Sequence, residues 1–357
     1  MPLIIDGGQV PPRWAAKKRV PASTSIESYG TGADCVRIAF INNMPDPALE
    51  DTEMQFFELL DAAAGDVPVF LKLHSLSGVP REERGQQHLR SFYFSTDDLL
   101  NSRFDGVIMT GTEPRQRNLR NEPYWSALTS VLDWAESNTA STVLSCLAAH
   151  AGVLHSDGIE RCPLSDKQFG VFDFTRTGSH QLTGATGGCV RFPHSRWNEV
   201  RADAVTACGY VVLTQSAEGG VDTFVKKKKR SLFVHFQGHP EYSAQTLLKE
   251  YRRDIKRFLR RERETYPSMP NGYFDNAATS LLTNFRDLVL ADRREELMEG
   301  FPEAALVDTL RNTWLPSATS IYRNWLHYLV TKRADVSAFP AMAAAYNQTS
   351  RKRSVLT

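Results

Sequence analysis

The 357-residue sequence predicts an α/β fold, a mainly parallel sheet with helices on both faces and a helical C-terminal extension. Three observations carry this reading. Short apolar runs suited to buried strands recur at Val36–Ile41, Val69–Leu73, Gly106–Met109 and Thr142–Leu144. Stretches with helical spacing lie between them, and strands alternating with helices of 10–15 residues are the rhythm of parallel βαβ units. Hydrophobic residues make up 41% of the chain, enough for the core of one large domain.

Taken in order, residues 1–33 are rich in Pro, Gly, Ser and Thr, carry a basic patch at Lys17–Arg19, and read as a loosely ordered leader. In the first strand Val36, Ile38 and Phe40 alternate and run into Ile41. Asn42–Pro47 reads as a turn whose two prolines forbid helix continuation, and a helix is expected from about Glu50 to Ala64. Strands at Val69–Leu73 and Gly106–Met109 follow. A helix over Tyr124–Ser137 places Trp125, Leu128, Val131 and Trp134 three apart, before the strand at Thr142–Leu144. After about residue 170 the texture turns to strands and turns, at Tyr210–Leu213, Val221–Val225 and Ser231–Phe236. The last two flank Lys226–Arg230, which reads as a solvated hairpin tip rather than a nucleic-acid or membrane patch. Helical pattern resumes from Ala244 to about Arg263, breaks at Tyr266–Gly272, and returns over about Ala277–Gly300 and Pro302–Lys332. The expected organisation is a leader (1–33), a catalytic domain (34–265), its helical extension (266–335) and a frayed tail (336–357).

Composition narrows the function. Lys and Arg number 42 against 41 Asp and Glu, so neither a basic nucleic-acid scaffold nor an acidic tail protein is expected. No run of 18 apolar residues marks a transmembrane helix, and the N-terminus lacks the pattern of a secretory signal. The five cysteines (Cys35, Cys146, Cys162, Cys189, Cys208) are odd in number and form no C-x-x-C. No disulfide framework and no metal site are therefore expected, and a reducing, cytoplasmic location fits. No P-loop or G-x-G-x-x-G is present.

The sharpest local signal is Ser141–Ala151, an apolar strand ending at Cys146 and followed at once by Ala-rich helix formers. A cysteine at such a turn sits at the C-terminal edge of the sheet. The next helix aims its N–H groups and positive dipole at the sulfur, lowering the thiol pKa and offering oxyanion donors. Gly111 and Leu147 are the backbone candidates. A base is offered by His239 in Gly238-His239-Pro240-Glu241, with Glu241 two positions on to orient the imidazole.

These residues resemble the class I glutamine amidotransferase-like, flavodoxin-like fold and, within it, the homoserine O-acyltransferase family of methionine biosynthesis, O-succinyltransferase type. The matching segments are Asn43-Met44-Pro45, Thr52–Phe56, Thr110-Gly111, Tyr124-Trp125, Ser141–Cys146, Lys167–Val171, Pro193–Arg196, Gly238–Tyr242, Glu250–Asp254 and Tyr322–Tyr328. The resemblance implies Cys146 as acyl-thioester nucleophile, His239 as general base and Glu241 as its orienting acid. It implies Lys167, Ser195 and Arg253 as substrate-binding residues. The substrates would be L-homoserine and an acyl-CoA, succinyl-CoA or acetyl-CoA, with no permanently bound cofactor; a homodimer is left open.

The chain also departs from the family. Six residues separate Pro45 from Thr52 where four including lysines are common, and Leu147-Ala148 follows Cys146 where Trp-Gly or Trp-Ala is frequent. The position that separates succinyl from acetyl users falls on Arg115, whose guanidinium suits the free carboxylate of a succinyl group. Homoserine O-acetyl transfer, serine O-acylation, a glutamine amidotransferase-like hydrolase and a non-catalytic binding protein are the competing readings.

Overall fold

The computed structural model describes residues 3–6, 9–19, 35–184 and 186–333. The elements in chain order begin with β1 (Leu3–Ile5), α1 (Pro12–Lys18), β2 (Val36–Ile41), α2 (Asp46–Ala64), β3 (Val69–His74), α3 (Glu83–Phe92), α4 (Thr96–Asn101) and β4 (Gly106–Met109). Then come α5 (Trp125–Asn138), β5 (Ser141–Ser145), α6 (Leu147–Asp157), β6 (Cys162–Arg176), β7 (Cys189–Glu199), α7 (Ala202–Ala207) and β8 (Val211–Val212). The chain continues through β9 (Thr214–Ser216), β10 (Gly220–Val221), β11 (Thr223–Lys228), β12 (Ser231–Phe236), α8 (Thr246–Leu259), α9 (Asn276–Ala291), α10 (Glu303–Val307) and α11, residues 315–333.

Eight strands form the main sheet in the order β1-β3-β2-β4-β5-β12-β11-β8. Neighbours from β1 to β12 pair in parallel, and β11 runs against both its neighbours. The expected mainly parallel α/β sheet is what the chain forms. Its central strands are buried on both faces, which explains their near-continuous apolar runs. A smaller antiparallel sheet, β10-β9-β6-β7, stands beside it, dominated by the β6–β7 hairpin.

Polar residues inside the main sheet are hydrogen-bonded. Ser141 Oγ donates to Leu232 O at 2.6 Å and accepts from Trp325 Nε1 of α11 at 2.9 Å. The C-terminal helix is thereby tied to β5, and its close approach needs a glycine. A Cβ on Gly106 would lie 2.8 Å from Leu329 Cδ1 and 2.9 Å from Trp325 Cζ2.

Several expectations are corrected. The start of the leader is ordered: β1 pairs with β3, and Trp14 of α1 is buried against Phe57, ring centroids 5.5 Å apart. Leu3, Ile5 and Trp14 supply apolar surface that the Pro/Gly/Ser-rich average concealed. The rest of that segment, 20–34, and the tail from 334 lie outside the described residues. Helix α2 begins at Asp46, four residues early, because Pro47 falls in a first turn whose N–H groups have no helical acceptor. The second C-terminal stretch is split into α10 and α11, with Asn312 Oδ1 accepting the Leu315 amide at 2.9 Å where α11 begins. The Lys226–Arg230 run closes a hairpin as expected, but only Lys229–Arg230 form its tip; Lys226–Lys228 end strand β11, with Lys228 opposite Ser231. Its charges pair with acids of α5 and α6: Lys226 with Asp157 at 2.6 Å and Lys229 with Glu136 at 3.0 Å.

The Gly106 contact gives a stability test. Gly106→Ala forces buried Leu329 and Trp325 apart and is expected to cost about 1–3 kcal/mol, read as an earlier denaturant midpoint. A midpoint equal to wild type would contradict the packing.

Candidate active site

Strand β5 ends at Ser145, and Cys146 turns the chain into α6 with φ 51° and ψ −111°. A non-glycine residue held there carries about 1–3 kcal/mol of strain, so its surroundings must hold it. The Cys146 amide donates to Phe236 O of β12 at 2.8 Å, while its carbonyl accepts from the amides of Ala149 and His150 at 3.0 and 3.2 Å. The sulfur is left partly exposed at the C-terminal edge of the sheet, and all five cysteines are free. Gly111, just past β4, packs directly on the start of α6. A Cβ there would sit 2.7 Å from Leu147 Cβ and 2.9 Å from Leu147 N. The two backbone segments named as oxyanion candidates therefore meet beside the cysteine.

His239 follows β12, the strand paired with β5. Its Nδ1 lies 2.8 Å from Glu241 Oε1, and Glu241 also accepts from Ser145 Oγ at 3.4 Å. Burial opposes a charge on His239. The sulfur of Cys146 and the carboxylate of Glu241 act the other way, by charge and hydrogen bond, and lift its pKa well above the ordinary imidazole range. The arrangement places a base held by a carboxylate beside the sulfur, as nucleophilic catalysis by a cysteine requires. The Tyr242 ring stacks on His239 with centroids 4.2 Å apart.

Lys167, Ser195 and Arg253 come from β6, β7 and α8, and they converge on two carboxylates of α8 that were not among the sequence candidates. Lys167 Nζ lies 3.4 Å from Glu250 Oε2 and 3.0 Å from Asp254 Oδ2. Ser195 Oγ donates to Glu250, and Tyr242 Oη donates to the other Glu250 oxygen at 2.7 Å. Arg253 Nη2 lies 3.0 Å from Asp254 Oδ1 and keeps 48% of its side chain exposed. Burial pushes the Glu250 carboxyl up; Lys167 and Arg253 by charge, then Ser195 and Tyr242 by hydrogen bond, overcome it and hold the pKa below the usual range. Tyr242 thus touches both clusters, stacking on His239 and bonding Glu250. One signal for Glu250 was available, because it stands three residues before Arg253 on the same helix face.

Arg115 lies exposed on the loop after β4. Its backbone N–H and that of Gln116 each donate to Glu122 Oε1 at 2.6 Å, pinning the loop from within. Besides His239, Arg161 and Arg196 lie near enough to Cys146 to interact with it by charge, and neither was among the sequence candidates. Among the described residues no group of three or more His, Cys, Asp or Glu is arranged to hold a metal ion, and no helix is long and apolar enough to cross a membrane.

The coupling of His239 to its two anions has a measurable consequence. Glu241→Gln removes one anion that retains the imidazole proton, which lowers the His239 pKa and takes away the carboxylate that orients the ring beside the sulfur. Iodoacetamide alkylation of Cys146 near neutral pH is expected to slow by about tenfold. An unchanged alkylation rate would contradict the coupling.

The family model described as homoserine O-succinyltransferase matches residues 16–336. Curated proteins of that name include one from Methylorubrum extorquens, 42% identical over 85% of this chain and 89% of its own length. Another, from Rhodopseudomonas palustris, is 43% identical over 84% of this chain and 90% of its own length. Similar solved structures include a glutamine amidotransferase from Thermotoga maritima, with TM-score 0.44 and 10% identity over 83% of this chain and 98% of that one. With the family model spanning most of the sequence and identities above 40% to curated members, the chain belongs to the homoserine O-succinyltransferase family.

Proposed function

We propose that this chain transfers the succinyl group of succinyl-CoA to the hydroxyl of L-homoserine through a thioester on Cys146, as a cytoplasmic step of methionine biosynthesis. The observation that carries this reading is the strained Cys146 elbow beside the His239–Glu241 pair, in a chain of this family.

The chemistry runs in two halves. His239 takes the Cys146 thiol proton, and the sulfur attacks the thioester carbonyl of succinyl-CoA. The backbone N–H groups of Gly111 and Leu147 stabilise the oxyanion. The bond to the CoA sulfur breaks, and the departing thiolate takes the proton from His239. In the second half His239 removes the homoserine hydroxyl proton and the oxygen attacks the acyl carbon. The bond between the acyl carbon and the Cys146 sulfur breaks, the sulfur takes the proton back from His239, and O-succinylhomoserine is released.

Lys167, Ser195 and Arg253 hold the acceptor. The half-exposed Arg253 offers a planar fork for the homoserine carboxylate, while Asp254 fixes its other side. Arg115 meets the terminal carboxylate of the succinyl group from the loop beyond Gly111.

A thiol-release assay over acetyl-CoA and succinyl-CoA against homoserine and serine tests this. CoA release is expected to be greatest with succinyl-CoA and homoserine. In Arg115→Gly the ratio of succinyl to acetyl use should fall by about tenfold, the value of a lost charge-assisted hydrogen bond. Failure of wild type to turn over succinyl-CoA with homoserine would overturn the function; an unmoved ratio would overturn the role of Arg115.

A further inference from the structure

The three backbone amides of Gln237, Gly238 and His239 are donated to two residues outside the proposed catalytic set, Asp222 and Pro193. Gln237 N donates to Asp222 O at 3.0 Å, and His239 N donates to Pro193 O at 2.8 Å. Between them, Gly238 N donates to Asp222 Oδ1 at 3.0 Å. Asp222 stands where the chain leaves β10 of the small sheet for β11 of the main sheet, and it is fully buried. Its other oxygen accepts from Thr223 Oγ1 at 2.5 Å and Thr214 Oγ1 at 3.4 Å.

His194, next to Pro193 on β7, is also fully buried. Its Nδ1 accepts from Arg196 Nε at 3.2 Å, and an arginine Nε can only donate. The proton of the neutral ring therefore sits on Nε2, which lies 3.2 Å from Asp222 Oδ1 but makes no hydrogen bond to it or to any other described residue, so the contact is one of close packing and charge. Gly238 rests on this pair with no room to spare. A Cβ there would be 2.6 Å from His194 Nε2 and 2.7 Å from Asp222 Oδ1. Arg196, with 2% of its side chain exposed, donates to Asn198 O at 3.0 Å and Gly219 O at 2.7 Å, and so fixes His194 from behind.

We propose that His194 and Asp222 form a buried brace that positions His239, holding the Gln237–His239 backbone so that the imidazole stays aligned with Cys146. The small sheet then serves the reaction through β7 and the β10–β11 junction as well as through Lys167 and Ser195. Neither residue touches substrate in this scheme; both act through the backbone that carries the imidazole. The proposal rests on the acyl-transfer reading, and the test separates the two.

Steady-state kinetics and iodoacetamide alkylation of Cys146 are compared for wild type, His194→Leu, His194→Gln and Asp222→Asn. His194→Leu keeps the bulk and removes the donor. It is expected to lose about tenfold or more in kcat, with KM for both substrates within about twofold, and to alkylate more slowly. Glutamine restores an N–H at the reach of Nε2, so His194→Gln should recover most of the loss. A folded His194→Leu with wild-type kcat and alkylation overturns the brace, as does a His194→Gln no better than His194→Leu. If His194→Leu does not fold, Asp222→Asn carries the same test, with a lower kcat at unchanged KM supporting the brace and wild-type values overturning it. A wild type that transfers no succinyl group overturns the acyl-transfer reading instead, and the alkylation comparison still decides the brace.

Discussion

The hydrogen bond from the Cys146 amide to the carbonyl of Phe236 sets the geometry on which the rest of the site depends. It closes the parallel pairing of β5 and β12, in which Ser145 stands opposite Phe236. Two parallel strands ending at the same level deliver their next residues to the same edge of the sheet, where open α/β folds place their ligands. One strand delivers the cysteine elbow and the other the histidine loop. A slip of one residue in this register would turn every side chain of β12 to the opposite face and carry His239 away from the sulfur. The buried polar side chains of Ser141, Thr142 and Ser231, linked across the strands and to Trp325, give that register a specific lock at its far end.

Charge is arranged at two depths. Around Cys146 and His239 the groups are few, and the imidazole holds its proton against burial because a sulfur and a carboxylate flank it. Around Glu250 the groups are many, and two cations and two hydroxyls surround one buried carboxylate. A buried charge lacking such partners would be strongly destabilising, so this second cluster is built to remain ionised. Tyr242 joins the depths, and burial followed by the nearby carboxylates keeps its phenol protonated and donating. A change at the Glu250 cluster can therefore be felt by the imidazole through one ring.

What could be read in the sequence was what is local. The strands β2 to β5 and β12 announce themselves by apolar runs, and the cysteine elbow and the His-x-Glu turn lie within a few residues of their own strand ends. The β6–β7 hairpin did not announce itself. Strand β6 carries the polar run Ser165–Gln168, a register irregularity after Pro163, and Gly170 at φ 140°, where a Cβ would strike the backbone of Asn271. No period survives that sequence of interruptions. The early start of α2 was hidden because prolines read as breakers stand at the helix entrance, where they are tolerated. Asp222 and His194 were hidden for another reason: they meet each other and the Gly238 amide from segments distant in sequence. For Glu250 only the Arg253 spacing was local, since Lys167 and Ser195 reach it from strands β6 and β7.

Acyl transfer by this route requires Cys146 to carry the acyl group. Mass spectrometry of the intact protein after brief exposure to succinyl-CoA alone tests it most directly. One succinyl adduct is expected that maps to Cys146, forms without homoserine, and disappears when homoserine is added as O-succinylhomoserine appears. An enzyme that turns over at full rate with no adduct on Cys146, or that keeps its activity as Cys146→Ser, would contradict it.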